Sequence, residues 1–205
     1  MGIFAIAALS ATAQLPDTTL KFGTWQFGAA PLPHDLYPEI SGRFSKLGWN
    51  EIEIEPDVWD WTIFDSDLTT RLEGDLQVMY KVYVKDFCPD WLYTTGGVPK
   101  VAETDANGLT TGFSPYYLSP NYNFYFKRMI TKVREHVEQY PPEIRNKIIA
   151  VQACFGNTGD YINYKGNVSP QYNIKSAQFD SLFYDYSLYF YDEYKNTNPK
   201  ITLIS

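Results

Sequence analysis

Clustered basic residues are the first thing this chain of 205 residues lacks: 24 Asp and Glu outnumber 17 Lys and Arg, no basic run occurs, and the formal net charge is −7. Nucleic acids and anionic membranes are held by grouped Lys and Arg, so neither is expected as a partner, and a neutral or cationic ligand fits the balance better. Cysteine is scarce too. Cys88 and Cys154 are too few and too isolated for a zinc site, and they stand either as two small buried thiols or as a disulfide between neighbouring strands. His34 and His136 fall in unrelated places, His136 within a helical stretch and on its surface, so no metal site is implied. No apolar run is long enough to span a bilayer. A Gly-rich phosphate turn is missing after the first strand, and no Gly-x-Ser-x-Gly turn offers a serine nucleophile. No cofactor is expected.

What the chain has in plenty is aromatic surface: 17% Phe, Trp and Tyr, with 17 Tyr and 5 Trp, in an otherwise ordinary composition of 44% hydrophobic and 20% charged residues. Tyr joins an apolar ring to a polar tip, which suits a Tyr-rich core or a site that stacks the flat faces of sugars. Composition alone favours the core. At the N-terminus, "GIFAIAALSATAQ" is an apolar stretch ending in Ala11-Thr12-Ala13, the small-x-small pattern of a signal-peptidase site. Residues 1–13 therefore read as a clipped signal peptide, and residues 14–205 as a secreted or periplasmic domain, in a compartment that permits disulfides.

Along the chain, strand-like runs at 19–28, 50–56, 76–87, 147–156 and 200–205 alternate with other elements. Leu36, Ile40, Phe44 and Leu47 recur at spacings of four, four and three, which predicts a helix over 36–50. A short helix follows at 60–75. Residues 94–120 are polar and rich in Gly and Pro, and a loop of that length inside a compact domain is usually functional. Ser119-Pro120 then opens a helix to about Gln139, and a last helix over 176–196 repeats apolar residues at Phe179, Phe183, Tyr186 and Phe190.

Strict alternation with continuous apolar strands means an α/β fold with a parallel sheet and helices outside it. Between an open doubly wound sheet and a (β/α)8 TIM barrel, the missing phosphate turn favours the barrel. So do the polar residues at the strand ends, where barrels collect their catalytic groups. A complete barrel takes about 250 residues. The chain therefore reads as the first four βα units plus a fifth strand, the N-terminal part of something larger.

Three segments, read in order, carry a resemblance. "LGWNEIEIEPDVWDWTIFDSDL" holds a strand, Glu55-Pro56 and an aromatic stretch; "CPDWLYTTGGVPKVAETDANGLTTGFSPYYLSP" holds Pro-x-Trp-Leu, Asp-x-x-Gly and Ser-Pro; "IIAVQACFGNTGDY" forms the fourth strand. Together they resemble the barrel of the glycoside hydrolases that include the family 42 β-galactosidases. The resemblance implies carbohydrate as substrate and carboxylate general acid/base chemistry, with the acid/base Glu at the end of the fourth strand and the nucleophile from the seventh. The chain departs at the first of these, for Phe155-Gly156 stands where the family has Asn-Glu. It does not reach a seventh strand. A carbohydrate-binding protein on the same fold, without the acid/base, is the alternative.

Candidate site residues follow from the strand ends. Asp160 is the nearest carboxylate beyond the fourth strand and the candidate proton donor, though Asn-Thr-Gly-Asp is also ordinary turn chemistry. Trp25, Trp91 and Tyr161 are candidate stacking platforms. Gln26, Gln152 and Asn157 offer amides that both donate and accept, which suits hydroxyl recognition. Glu55 is assigned to the pocket or to a pair with Lys81 or Lys85, while Glu51 and Glu53 are read as one solvated or ion-paired strand face.

Overall fold

The computed structural model describes residues 21, 23–28, 30–153 and 162–204. Its centre is a five-stranded parallel sheet built from β1 (Thr24–Gln26), β2 (Ile40–Gly48), β5 (Gln77–Tyr83), β8 (Ile148–Gln152) and β9 (Thr202–Ile204), in that order across the sheet. Each new strand joins the same edge, so the order never reverses. Doubly wound sheets reverse at a switch point. Sequential order with crossovers of one hand instead puts the connecting helices on one flank, the arrangement of consecutive βα units in a (β/α)8 barrel. The fold is thus α/β, a partial TIM barrel.

The remaining elements are α1 (Trp49–Ile52), a small hairpin of β3 (Glu53–Glu55) and β4 (Val58–Trp59), α2 (Thr62–Arg71), α3 (Asp90–Tyr93), a second hairpin of β6 (Lys100–Thr104) and β7 (Thr110–Pro115), α4 (Pro120–Glu138), α5 (Pro142–Arg145) and α6 (Ser176–Tyr194). Three expectations need correcting. The helix expected over 36–50 is the strand β2, and the strand expected over 50–56 is α1 followed by the three residues of β3. The long segment before α4, expected as a loop, contains the β6–β7 hairpin, which turns at Asp105–Leu109 with the Leu109 N–H donating to Asp105 Oδ1 at 2.9 Å.

The strand β2 hides its period because its outer face is polar. Arg43 is fully buried and pairs with Glu73 at 2.7 Å, while Ser45 donates to Asp67 of α2 at 2.6 Å. Asp67 also receives Arg71 at 2.8 Å. These polar contacts fix α2 against β2 where an apolar stripe would ordinarily do so.

Farther along, the outer face turns aromatic. Tyr80 of β5 meets Tyr194 of α6, hydroxyl to hydroxyl, at 2.7 Å, and packs edge-on against Phe64 of α2. Helix α4 buries Tyr122, Phe126, Met129, Ile130, Val133 and Val137, and Phe126 lies 4.7 Å from the Tyr186 ring of α6. Burying one such aromatic is worth about 3 kcal/mol or more when measured by truncation. Much of the tyrosine content therefore serves the core. His136 is not a free surface group: its ring stacks on Trp61 at 4.2 Å and its Nε2 lies 2.7 Å from Asp65 Oδ1, locking α2 to α4. Among the described residues, no helix is long and apolar enough to cross a membrane.

Candidate functional site

The C-terminal ends of β2, β5, β8 and β9 lie at one end of the sheet, where barrel enzymes keep their chemistry. The most elaborate construction there follows β5. Lys85 adopts the left-handed backbone conformation, φ 63°, in a tight turn over Lys85–Phe87. For a residue with a side chain this costs about 1–3 kcal/mol, a strain met mainly where position matters. The turn sends the Lys85 ammonium into a nearly buried position, 3.3 Å from Glu103 Oε2 of β6.

Glu103 is itself buried and fully engaged. Its Oε1 accepts from Ser114 Oγ of β7, and its Oε2 accepts the N–H groups of Lys165 at 2.7 Å and Gly166 at 3.1 Å. Next to Lys85, Asp86 Oδ1 accepts the Phe113 N–H at 3.1 Å. Each carboxylate fastens the β6–β7 hairpin to the end of β5. Backbone bonds between Thr104 and Asn167, at 2.8 and 2.9 Å, bind the hairpin to the segment that follows β8. Gly112 packs closely here: a Cβ there would stand 3.1 Å from Asp86 Oδ1, a tight contact that the carboxylate would have to relieve by a small shift.

Between the hairpin and α3 opens a cleft of about 240 Å³, walled by Lys85, Asp86, Asp90, Lys100 and the rings of Tyr93 and Phe113. Lys100 Nζ lies 4.9 Å from each ring centroid. Cys88 lines the cleft from below as a free thiol, and burial pushes its pKa up to about 12, so it is no nucleophile at neutral pH. Burial likewise raises the Tyr93 hydroxyl, which stays a neutral hydrogen-bonding group. Aromatic walls with mixed ammonium and carboxylate groups suit a polyhydroxylated ligand.

Beyond the end of β2, Glu53 makes a second buried carboxylate site. It accepts from Trp49 Nε1 at 2.8 Å, from the Asp57 N–H at 2.9 Å, and from the Arg128 guanidinium of α4. Burial raises its pKa, against the opposing pull of those bonds and of the Arg128 charge. Trp91 belongs to this cluster: it is 7% exposed, donates Nε1–H to the Glu53 carbonyl at 3.1 Å and stands edge-on to Trp49. Glu51, expected on the same face as Glu53, accepts the Gly48 N–H at 2.5 Å.

The other candidate residues are dispersed. Glu55 is exposed at the end of β3, and Lys85, one of its expected partners, is taken by Glu103. Trp25 and Gln26 sit opposite Gly42 and Arg43, well before the end of β2. The Trp25 ring covers Gly42, and the Gln26 amide donates to the Ala30 carbonyl at 2.6 Å and accepts the Leu32 N–H at 3.0 Å. Gln152 closes β8, half-buried on the inner face of the sheet. Asn157, Asp160, Tyr161 and Cys154 lie outside the described residues. Sequence reasoning missed Glu103 because it lies in a segment read as loop, and the role of Lys85 because only its unusual backbone angle turns it toward Glu103.

A solved β-galactosidase shares this fold. That of the Antarctic haloarchaeon Halorubrum lacusprofundi superposes with a TM-score of 0.51 at 12% identity, covering 90% of this chain and 36% of that one. The β-galactosidase of the psychrophilic Marinomonas ef1 aligns with a TM-score of 0.43 at 20% identity, over 64% of this chain and 20% of that one. The chain thus spans well under half the length of either enzyme. No family model matches it, and no curated protein matches it in sequence. At these identities the likeness is one of fold alone, the partial α/β barrel described above.

Proposed function

We propose that this chain belongs to an exported glycoside hydrolase that acts on an oligo- or polysaccharide. The observation that carries the reading is the aromatic-walled, charge-lined cleft after β5, at the catalytic end of a sheet whose fold is also that of a β-galactosidase. Glycoside hydrolysis needs two carboxyl groups across the scissile bond, one protonated and one ionised. Asp160, which follows β8 in the sequence, is proposed as the proton donor, with its ionised partner contributed from outside the described residues. The similarity of three segments to the family 42 enzymes supports this, and because Phe155-Gly156 stands where the family has Asn-Glu, the donor is assigned to Asp160 and not to the family's own position. Removal of residues 1–13 on export completes the proposal.

That same replacement favours a second reading, in which the barrel binds saccharide without cleaving it. Release of nitrophenol from aryl β-galactosides, measured beside calorimetric binding of galacto-oligosaccharides, separates the two. For the enzyme, Asp160→Asn is expected to lower turnover by about 100-fold or more, the usual contribution of a general acid. Binding without turnover identifies the second reading. An unchanged rate in Asp160→Asn removes Asp160 from the mechanism.

A further inference from the structure

The charges that line the cleft after β5 close in pairs, and one carboxylate is left over. Lys85 is committed to Glu103 at 3.3 Å, nearly out of solvent. Lys100 stands 3.7 Å from Asp90 in an exposed pair. Asp86, the middle residue of the turn over Lys85–Phe87, forms no ion pair among the described residues; its Oδ1 accepts the Phe113 N–H at 3.1 Å. The cleft therefore carries one negative charge that the surrounding side chains do not answer.

Asp86 is exposed, yet it is held in place. The residue before it has the left-handed backbone, φ 63°, a strain met mainly where position matters. From the neighbouring hairpin the Phe113 N–H orients its carboxylate. An ionised carboxylate offers about four acceptor sites, so one amide bond leaves most of them for a ligand. The aromatic walls suit a cation as well. Lys100 Nζ lies 4.9 Å from the ring centroids of both Tyr93 and Phe113, inside the cation–π reach of about 6 Å, so these rings already host an ammonium of the chain's own. A net charge of −7 favours the approach of a cation from solution. A neutral ligand would leave the Asp86 charge to water, and an anionic one would meet it as a like charge.

We infer that the cleft recognises an amino sugar, a saccharide with a free protonated amine, whose ammonium donates to the Asp86 carboxylate while the apolar face of its ring lies against Tyr93 or Phe113. The inference rests on the proposal that the barrel takes a saccharide, and it specifies the class. Lys100 answers Asp90, so the discrimination between an amine and a hydroxyl falls to Asp86. An ammonium offers three donors and a compact charge, which lets it bond Asp86 and still reach water at the open side of the cleft.

Calorimetric titration of the chain with three oligomers of equal length and linkage tests it: oligomers of galactose, of galactosamine and of N-acetylgalactosamine, which differ only in the group at one ring carbon, at about 0.02 M and about 0.5 M salt. The galactosamine oligomer is expected to bind about tenfold more tightly than the other two, the scale of one charge-assisted hydrogen bond, and to lose that advantage in high salt. Asp86→Asn keeps an oxygen to accept the Phe113 N–H and removes the charge, and is expected to bring the ratio of affinities to about one. Lys100→Gln, at an exposed position, deletes a competing cation and is expected to widen the advantage. Equal affinity for the galactosamine and galactose oligomers, an advantage intact in Asp86→Asn, or one narrowed in Lys100→Gln overturns the inference while the saccharide reading stands. Failure of all three oligomers to bind overturns both.

Discussion

Lys85 Nζ and Glu103 Oε2 stand 3.3 Å apart, nearly out of solvent, and join the end of a sheet strand to a hairpin that lies beyond it. The pair sets the floor of the cleft. Because Glu103 also holds the backbone of Lys165 and Gly166, the same carboxylate governs how the segment after β8 returns to the barrel. The β6–β7 hairpin and the stretch around Lys165 and Gly166 are therefore mechanically one unit.

Glu103→Ala should expose how much that unit depends on a single group. It strands the Lys85 cation in a nearly dry place and frees three hydrogen-bond donors, a class of change that costs about 3–5 kcal/mol. Urea unfolding followed by circular dichroism measures it. A loss below about 1 kcal/mol would show that the pair is solvated and the cleft floor loose.

Glu53 predicts a pH dependence of opposite sense to that of an ordinary paired carboxylate. Burial lifts its pKa above the ordinary 4.5, so the folded protein holds this proton more tightly than the unfolded chain does. Its contribution to stability is fully present below pH 4.5 and is lost as pH rises through the folded value. The unfolding free energy of the native sequence minus that of Glu53→Gln should fall as pH is raised from about 4 to about 7. A difference that stays flat across this window means that the carboxyl titrates alike in both states.

How much of this was legible in the sequence depended on whether polar groups respected the hydrophobic pattern. Helices α4 and α6, and strands β5, β8 and β9, announce themselves because their buried faces are apolar or aromatic. Strand β2 does not, because Arg43 and Ser45 occupy buried outward positions and are satisfied by Glu73 and Asp67, contacts that periodicity cannot see. With that alternation erased, the accidental spacing of Leu36, Ile40, Phe44 and Leu47 mimics a helix. Glu53, expected on a solvated or ion-paired strand face, does open the short strand β3 and is ion-paired, but it is fully buried and its partner is an arginine from α4, distant in sequence. The end of β5 was recognisable as a place for chemistry; the pairing of Lys85 with Glu103 was not, since it depends on a left-handed turn and on the β6–β7 hairpin folding back.

Cys88 offers a chemical check on the cleft wall. With a pKa of about 12 almost no thiolate exists at neutral pH, so in a Cys154→Ser background the native protein should resist an aromatic disulfide reagent at about pH 8 and react promptly in urea. Reaction of the native protein at the rate of a free thiol would show that the site opens readily.

Arg128 spans Trp59 and Trp91, Trp91 abuts Trp49, and Trp59 stacks on Trp61, whereas Trp25 lies apart, over Gly42. Ultraviolet emission from the folded protein is consequently dominated by one corner, the ring cluster clamped between Glu53 and α4. The chain thus contains its own optical gauge: a spectral shift at constant helix content signals that this corner has come undocked while the sheet beneath it stays intact.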